Sequence, residues 1–399
     1  MTQSEETATG GGTVPAAEIA PLFDPLTIGS LTVPNRFVMS PMTRSFSPGG
    51  VPGPDVAAYY RRRAEGDVGL IITEGVGVPH EAALGDSGVD GNAIPVMDGD
   101  AALLAWKKVV DDVHAAGGRI APQLWHQGVM REPGTGPYPY APSVRPSGIW
   151  GPLDRMASVP CDFIARVAAP TSPATDSEIA DIIAAFGIAA ANARSIGFDA
   201  IAIHAAHGYL IDTFLWDETN LRDDCWGGDL DRRSAFAAAL VREVRAAAGD
   251  QMPIIFRFSQ WKQQDFKGRI AHTPRQLEAL LGPIADAGAD VFDASQRFFD
   301  RAEFDGSPMN LAGWARKVTG KMSMTVGGVG QSGGMYDAQN GGQSDASNNL
   351  PRVAARLVND EFDLVAVGRA LLGDPQWVRR ARAGLPFLPY QDSMRETLF

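Results

Sequence analysis

Short apolar runs alternate with longer amphipathic patterns along most of the chain. Eight of the runs predict β-strands, and they lie at residues 36–39, 69–73, 119–124, 199–203, 253–258, 290–292, 322–326 and 362–367. The clearest of them are apolar throughout, which is typical of parallel strands that are buried on both faces. The longer patterns between the runs predict helices.

Two of the predicted helices begin with recognisable N-terminal signals. Thr175 and Glu178 have the spacing of a capping box and precede an apolar stripe. Thr273 and Gln276 repeat that spacing, with Pro274 in the first turn. These signals indicate that strands and helices follow one another regularly along the chain.

Eight strand–helix units in series predict an α/β fold, a single closed (β/α)8 or TIM barrel over residues 21–399. An open doubly wound sheet with an appended domain is the main alternative, and it would need a linker in mid-chain. Two loops interrupt the pattern. Residues 127–175 predict a lid-like excursion after the third strand, and residues 327–349, rich in Gly, Ser, Asn and Gln, predict a flexible surface loop.

Composition and charge narrow the partners and the location. The 399 residues include 35 Lys and Arg against 47 Asp and Glu, a formal net charge of −12 without a dense basic run, so nucleic acid and anionic membranes are not expected partners. Residues 1–20 lack basic residues and predict a disordered tail rather than a secretory signal. Cys161 and Cys225 are too few for a disulfide framework. We expect a cytoplasmic monomer or homodimer.

The strand ends carry the candidate chemistry, because the active site of a (β/α)8 enzyme lies at the C-terminal ends of its strands. Arg257 interrupts an apolar strand, where a guanidinium needs either an electron-rich ligand or a nearby Asp or Glu in a structural ion pair. Gly327 and Gly328 follow one strand, and Gly368 and Arg369 follow the next. Their backbone N–H groups and the cation predict a phosphate site.

His204, His207 and Tyr209 form the densest cluster of polar side chains. They are suited to bind a substrate oxygen or a metal ion. A metal site would need a third ligand, and neither a second histidine cluster nor an HExxH motif supplies one, so no metal is expected. A metal-dependent barrel hydrolase that uses the two histidines is nevertheless one alternative function.

Several motifs resemble the Old Yellow Enzyme family of FMN-dependent ene-reductases. They lie at residues 22–29, 35–36, 41–44, 69–75, 123–126, 203–210, 220–228 and 367–369, and Arg257 continues the pattern. The resemblance covers about residues 21–385, and the histidine–tyrosine motif with the downstream Gly-Gly is its most specific part. It implies an FMN-binding barrel with NADH or NADPH as the reductant.

The resemblance also implies roles for individual residues. The residues implied to bind FMN non-covalently are Pro41, Met42, Thr43, Gln123, Arg257, Gly327, Gly328, Gly368 and Arg369. His204 and His207 would bind the carbonyl oxygen of an enone or enal, Trp125 would line the pocket, and Tyr209 would protonate the α-carbon. Trp261, Phe298 and Phe299 would either line the pocket or pack in the core. A flavin-binding protein without catalysis is the second alternative.

Overall fold

The computed structural model of the chain describes residues 16–333 and 345–399. Residues 1–15 of the predicted tail and residues 334–344 of the predicted flexible loop lie outside the described residues. Within residues 16–20, which belong to the predicted tail, Ile19 is buried, and a short 3-10 turn spans Ala20–Phe23.

Eight parallel strands close into a barrel, which confirms the predicted fold class. After a hairpin of β1 (Leu26–Ile28) and β2 (Leu31–Val33), the barrel strands are β3 (Phe37–Met39), β4 (Leu70–Gly77), β5 (Ile120–Trp125), β6 (Ile201–His207), β7 (Ile254–Lys262), β8 (Val291–Ser295), β9 (Met322–Val326) and β10 (Leu364–Val367). Each strand pairs with the next, and the ring closes where β10 pairs with β3, with Val365 opposite Phe37. The doubly wound alternative is therefore wrong.

The helices follow the strands and surround the barrel. They are α1 (Pro54–Glu65), α2 (Asp100–Ala115), α3 (Cys161–Val167), α4 (Asp176–Ser195), α5 (Leu210–Leu215), α6 (Leu230–Arg233), α7 (Ala235–Ala248), α8 (Pro274–Asp286), α9 (Leu311–Thr319), α10 (Leu350–Val358), α11 (Arg369–Gly373) and α12 (Trp377–Ala383). In the ranges 16–333 and 345–399, none of them combines the length and the apolar character needed to cross a membrane.

The two predicted caps differ in detail. Thr175 and Glu178 form the complete capping box at the start of α4. At the start of α8, Thr273 Oγ1 accepts the backbone N–H of Gln276, but the Gln276 side chain accepts from His272 instead of Thr273. The second box is therefore only half formed.

Two apolar layers, one inside the ring of strands and one between the strands and the helices, stabilise the barrel. Alternate residues of all eight strands face inward and form one cluster with Ile28, Leu31 and Val33 of the hairpin. The other strand residues pack against the helices in a larger cluster. The apolar side chains of the hairpin thus extend the inner core of the barrel. The sequence pattern does not predict this role, because the two strands of the hairpin are only three residues long.

The excursion at residues 127–175 is ordered around its own small core. Val129, Met130, Trp150 and Phe163 pack together there. The buried Arg131 donates to the backbone carbonyls of residues 84, 135, 138 and 141, which holds the segment in one conformation. It therefore forms a folded rim with a core of its own.

Candidate active site

A cavity of about 840 Å³ opens at the C-terminal ends of the strands. Every site residue expected from the sequence lines it, namely Pro41, Met42, Thr43, Gln123, Trp125, His204, His207, Tyr209, Arg257, Gly327, Gly328, Gly368 and Arg369. Trp261 and Phe298 also line it, whereas Phe299 is buried in the core. Of the rim at residues 127–175, only Ser158 is among the described residues of its wall.

The two histidines stand side by side at the end of β6. Their ring centroids are 5.2 Å apart and the planes are nearly perpendicular. Burial is the main reason that the pKa of each ring lies well below its ordinary value, and the Arg257 guanidinium lowers both further. Both imidazoles are therefore neutral at pH 7, and each has one N–H to donate.

The partners of the two rings differ. His207 Nε2 lies 2.7 Å from the hydroxyl of Ser295, at the end of β8. His204 Nδ1 is buried and has no hydrogen-bond partner among the described residues. A buried polar atom without a partner is costly, so His204 is suited to bind a ligand atom in the cavity.

Tyr209 follows the histidines and is held by aromatic neighbours. Its ring lies 4.9 Å from Trp125 at 90° and 4.9 Å from His204. Burial raises the pKa of Tyr209 to about 12, although a hydrogen bond with Gln263 opposes the rise. The phenol therefore stays protonated at neutral pH, as a proton donor must.

Arg257 has a partner that the sequence leaves open. It forms an ion pair with Asp293, and its other terminal nitrogen lies 3.4 Å from Ser295 Oγ. The alternative of a structural ion pair is thus confirmed, while Arg257 also lines the cavity. The sequence pattern misses Asp293 and Ser295, because the apolar run ends at residue 292 and the alternating Asp-Ala-Ser that follows does not extend it.

The segment after β3 is fixed from behind by Glu74. Its Oε2 accepts the backbone N–H groups of Arg44 and Ser45, at 2.8 and 3.1 Å. The Arg44 side chain turns away to the backbone carbonyls of Arg395 and Thr397. Thr43 is left in the cavity wall beside Met42.

The opposite end of the cavity has backbone in unusual conformations. Gly327 and Gly328 have φ of +114° and +69°, and a Cβ at Gly327 would lie 2.3 Å from a backbone oxygen of Gln296. At Gly368 an added Cβ would come no nearer than 3.7 Å to any atom beyond its chain neighbours, which is an ordinary van der Waals distance, so this position is not crowded. An uncrowded glycine beside Arg369 fits a phosphate group that approaches the backbone closely.

The residues present fit a flavin mononucleotide. Gln123 Nε2 is buried in the cavity wall without a partner among the described residues. With Arg257 it offers donors for the oxygen and nitrogen atoms of a ring system, and the glycines with Arg369 suit the phosphate. The cavity also lies within the usual range for cofactor sites, about 300–1,000 Å³.

A catalytic metal has less support. No group of three His, Cys, Asp or Glu side chains placed to hold a metal ion occurs within residues 16–333 and 345–399. His207 Nε2 already lies close to the hydroxyl of Ser295, so this nitrogen is engaged within the protein. A catalytic zinc ion would need three protein ligands.

Comparison with known proteins identifies relatives over nearly the whole chain. The model of the NADH:flavin oxidoreductase / NADH oxidase family matches residues 21–387. The chain is 34% identical to "Chanoclavine-I aldehyde reductase fgaOx3" of Penicillium roqueforti, over 92% of this chain and 91% of that protein. It is 30% identical to the NADH oxidase of Thermoanaerobacter brockii over 91% of this chain, and it spans only 51% of that longer protein.

Solved structures agree with this result. Morphinone reductase in complex with tetrahydroNAD superposes with a TM-score of 0.74 at 27% identity, over 94% of this chain and 93% of that one. The Old Yellow Enzyme homologue from Zymomonas mobilis gives a TM-score of 0.75 at 26% identity, over 94% and 96% of the two chains. The fold and the expectation of flavin and nicotinamide cofactors are thereby confirmed.

Proposed function

Because the chain belongs to the Old Yellow Enzyme group of the NADH:flavin oxidoreductase / NADH oxidase family, we propose that it is an FMN-dependent ene-reductase. It uses NADH or NADPH to reduce the C=C bond of α,β-unsaturated carbonyl compounds. One observation carries this proposal: the neutral His204 and His207 and the protonated Tyr209 line one cavity together with Arg257.

The chain's residues divide FMN binding between two ends of the cavity. Gly327, Gly328, Gly368 and Arg369 would hold the phosphate, and Pro41, Met42, Thr43, Gln123 and Arg257 would hold the ring. When bound, FMN supplies the two-electron chemistry that links the nicotinamide to the C=C bond. Asp293 keeps the Arg257 guanidinium in the cavity wall through their ion pair.

His204 and His207 polarise the substrate by donating to its carbonyl oxygen. Donors fixed before the reaction stabilise the negative charge that develops on this oxygen, because they need not reorganise. Ser295 restrains the His207 ring, and Trp125 stacks 6.0 Å from His204. The oxygen is thereby oriented for the step that follows.

Tyr209 supplies the proton to the α-carbon. A phenol with a pKa of about 12 gives up its proton only when a strongly basic centre, such as an enolate carbon, develops beside it. The perpendicular contact with Trp125 holds the ring in place. The two histidines and the tyrosine thus act on different atoms of one substrate.

Anaerobic visible spectroscopy of the FMN-loaded protein tests the proposal. NADH or NADPH should bleach the flavin bands, and cyclohexenone should restore them without oxygen. Bands that NADH and NADPH fail to bleach would support the non-catalytic alternative. Bleached bands that an enone does not restore would show that the substrate class is wrong.

We also propose that the enzyme works in the cytoplasm on small molecules, as a monomer or homodimer. The net charge of −12 argues against nucleic acid or an anionic membrane as the partner. Light scattering on the purified protein and fractionation of cells that express it test these two points.

A further inference from the structure

A buried ion pair lies behind the turn that carries the catalytic groups. Asp212 of α5 and Lys262 at the end of β7 are fully excluded from solvent, and Lys262 Nζ donates to Asp212 Oδ1 at 2.7 Å. The other carboxylate oxygen, Oδ2, accepts the backbone N–H of Gly208 at 2.6 Å. Both charged groups lie behind the cavity wall rather than in it.

The turn that Asp212 contacts has a strained backbone. His207 and Gly208 have φ of +65° and +81°, a region that a residue with a side chain rarely adopts. Side chains of β7 and of the segment after it also form hydrogen bonds with the turn. Ser259 Oγ accepts the N–H of His207 at 2.9 Å, and Gln264 Nε2 donates to Gly208 O at 3.0 Å. Such a conformation persists only where its surroundings fix it.

Burial of an ion pair is a weak source of stability in general. Two charges removed from water lose hydration, and well-packed apolar residues of similar size are often as stable or more so. Burial raises the pKa of Asp212 to about 6, with Lys262 opposing the rise. Lys262 Nζ also donates to the carbonyl of Ser259, at 3.0 Å, so the lysine links β7 to the carboxylate. A role in positioning accounts for the pair better than stability does.

We propose that Asp212 and Lys262 are positioning residues of the active site, which hold the turn at residues 207–209 so that His207 and Tyr209 face one substrate. Asp212 makes the contact with the turn. Lys262 keeps the Asp212 carboxylate charged and directed at the Gly208 N–H. This inference rests on the proposed ene-reductase function.

Two double variants separate the contact from the charge. D212N/K262M removes both charges but keeps an amide oxygen that can accept from Gly208, whereas D212L/K262M keeps no acceptor. The FMN-loaded proteins are photoreduced and then mixed with cyclohexenone. D212L/K262M should react more slowly than wild type by about 10- to 10²-fold, the usual effect of misplaced groups. The rate of D212N/K262M should lie between that of wild type and that of D212L/K262M.

Reoxidation by ferricyanide and a second ion pair, away from the cavity, supply the controls. Ferricyanide needs neither a carbonyl donor nor a proton donor, so all variants should react with it at the wild-type rate. Arg245 of α7 and Asp290, just before β8, form a partly exposed ion pair at the opposite end of the barrel, where Asp290 also accepts the backbone N–H of Ile254. R245M/D290N should lower the melting temperature of the apoprotein but leave the ratio of enone to ferricyanide rates unchanged.

The outcomes are distinct. A folded D212L/K262M protein with the wild-type enone rate overturns the positioning role. If that variant does not fold, D212E decides, since it keeps the charge but displaces the oxygen that meets Gly208. Slow enone reoxidation of D212E supports the proposal, and the wild-type rate refutes it. A wild-type protein that an enone cannot reoxidise refutes the ene-reductase function itself.

Discussion

At the scale of single residues, the hydroxyl of Tyr209 has a proposed role in only one of the two half-reactions. A variant that lacks this one oxygen atom tests that role. Y209F removes the phenolic hydroxyl, which is the proposed proton donor, but keeps the ring against Trp125. We expect NAD(P)H to reduce the variant at a near-normal rate, while reoxidation by cyclohexenone slows by about 10²- to 10⁴-fold, the usual contribution of a positioned acid. Stopped-flow traces of the two half-reactions measure both rates.

Quinone reoxidation is the internal control for Y209F, because it needs no proton on carbon. It should proceed at the wild-type rate. Equal slowing of both half-reactions, or unimpaired reaction with the enone, would mean that the proton comes from another group or from water.

Arg257 is a second residue whose two roles can be separated. R257M removes a cation from the cavity and leaves Asp293 buried without its partner, which should cost about 3–5 kcal/mol of unfolding free energy. It should also weaken FMN binding. Adding D293N should recover much of the stability, because the stranded charge is gone, but not the affinity for FMN. Urea unfolding of the apoprotein and a fluorescence titration with FMN measure the two effects.

The double variant R257M/D293N decides what Arg257 does for the cofactor. Wild-type FMN affinity in this protein would show that the guanidinium serves only Asp293. Unchanged stability in R257M alone would show that Asp293 takes up a proton or finds another partner.

At the scale of elements, the sequence predicts where strands occur better than where they end. All eight predicted barrel strands exist, because strands buried on both faces are apolar runs. Five of them extend beyond their predicted ends, and the longest extensions run from residues 73, 203 and 258 to Gly77, His207 and Lys262. The added residues include Glu74, which anchors the segment after β3, and the two histidines that line the cavity. The apolar criterion fails at these ends because function requires polar residues there.

The capping box of α4 gives a prediction for an element away from the active site. T175A removes the side chain that accepts from Glu178 N–H and should destabilise the protein by about 1 kcal/mol. Urea unfolding measures the loss. Enone turnover should not change, because α4 packs outside the barrel. A loss of activity without a loss of stability would contradict this assignment.

At the scale of the whole molecule, the sequence predicts residues that line one cavity but not the contacts among them. Motifs carry Arg257 and His207, whereas their partners Asp293 and Ser295 come from β8, at sequence separations of 36 and 88 residues. The Asp212–Lys262 pair is likewise 50 residues apart in the chain. Such pairs follow from strand register and helix packing, which a single sequence does not specify.

Glu74 connects three parts of the molecule and makes its stability depend on pH. Its carboxylate accepts from Arg44 and Ser45 after β3, and its backbone N–H donates to the hydroxyl of Tyr60 in α1. Hydrogen bonds from the two backbone groups lower the pKa of Glu74, but burial prevails and raises it from 4.5 to about 7. The folded protein therefore binds a proton here at pH values where the unfolded chain has lost it.

The sign of the effect follows from that proton. Stability that comes from the protonated Glu74 is fully present below the unfolded pKa of 4.5 and is lost as the pH rises through about 7. Buried histidines such as His126 have lowered pKa values and act in the opposite direction. They are common to wild type and to E74Q, however, so the difference between the two proteins isolates Glu74.

We therefore expect the pH dependence of wild type and E74Q to diverge. E74Q keeps an oxygen for the N–H groups of Arg44 and Ser45 but cannot ionise. Between about pH 4 and pH 8 the wild-type protein should lose about 3 kcal/mol of unfolding free energy relative to E74Q, since each unit of pKa shift corresponds to about 1.4 kcal/mol. Urea unfolding of both apoproteins at several pH values gives the difference directly. If the unfolding free energies of the two proteins change with pH in parallel, Glu74 is ionised at neutral pH. If wild type instead loses stability relative to E74Q as the pH falls, the sign of the contribution is reversed.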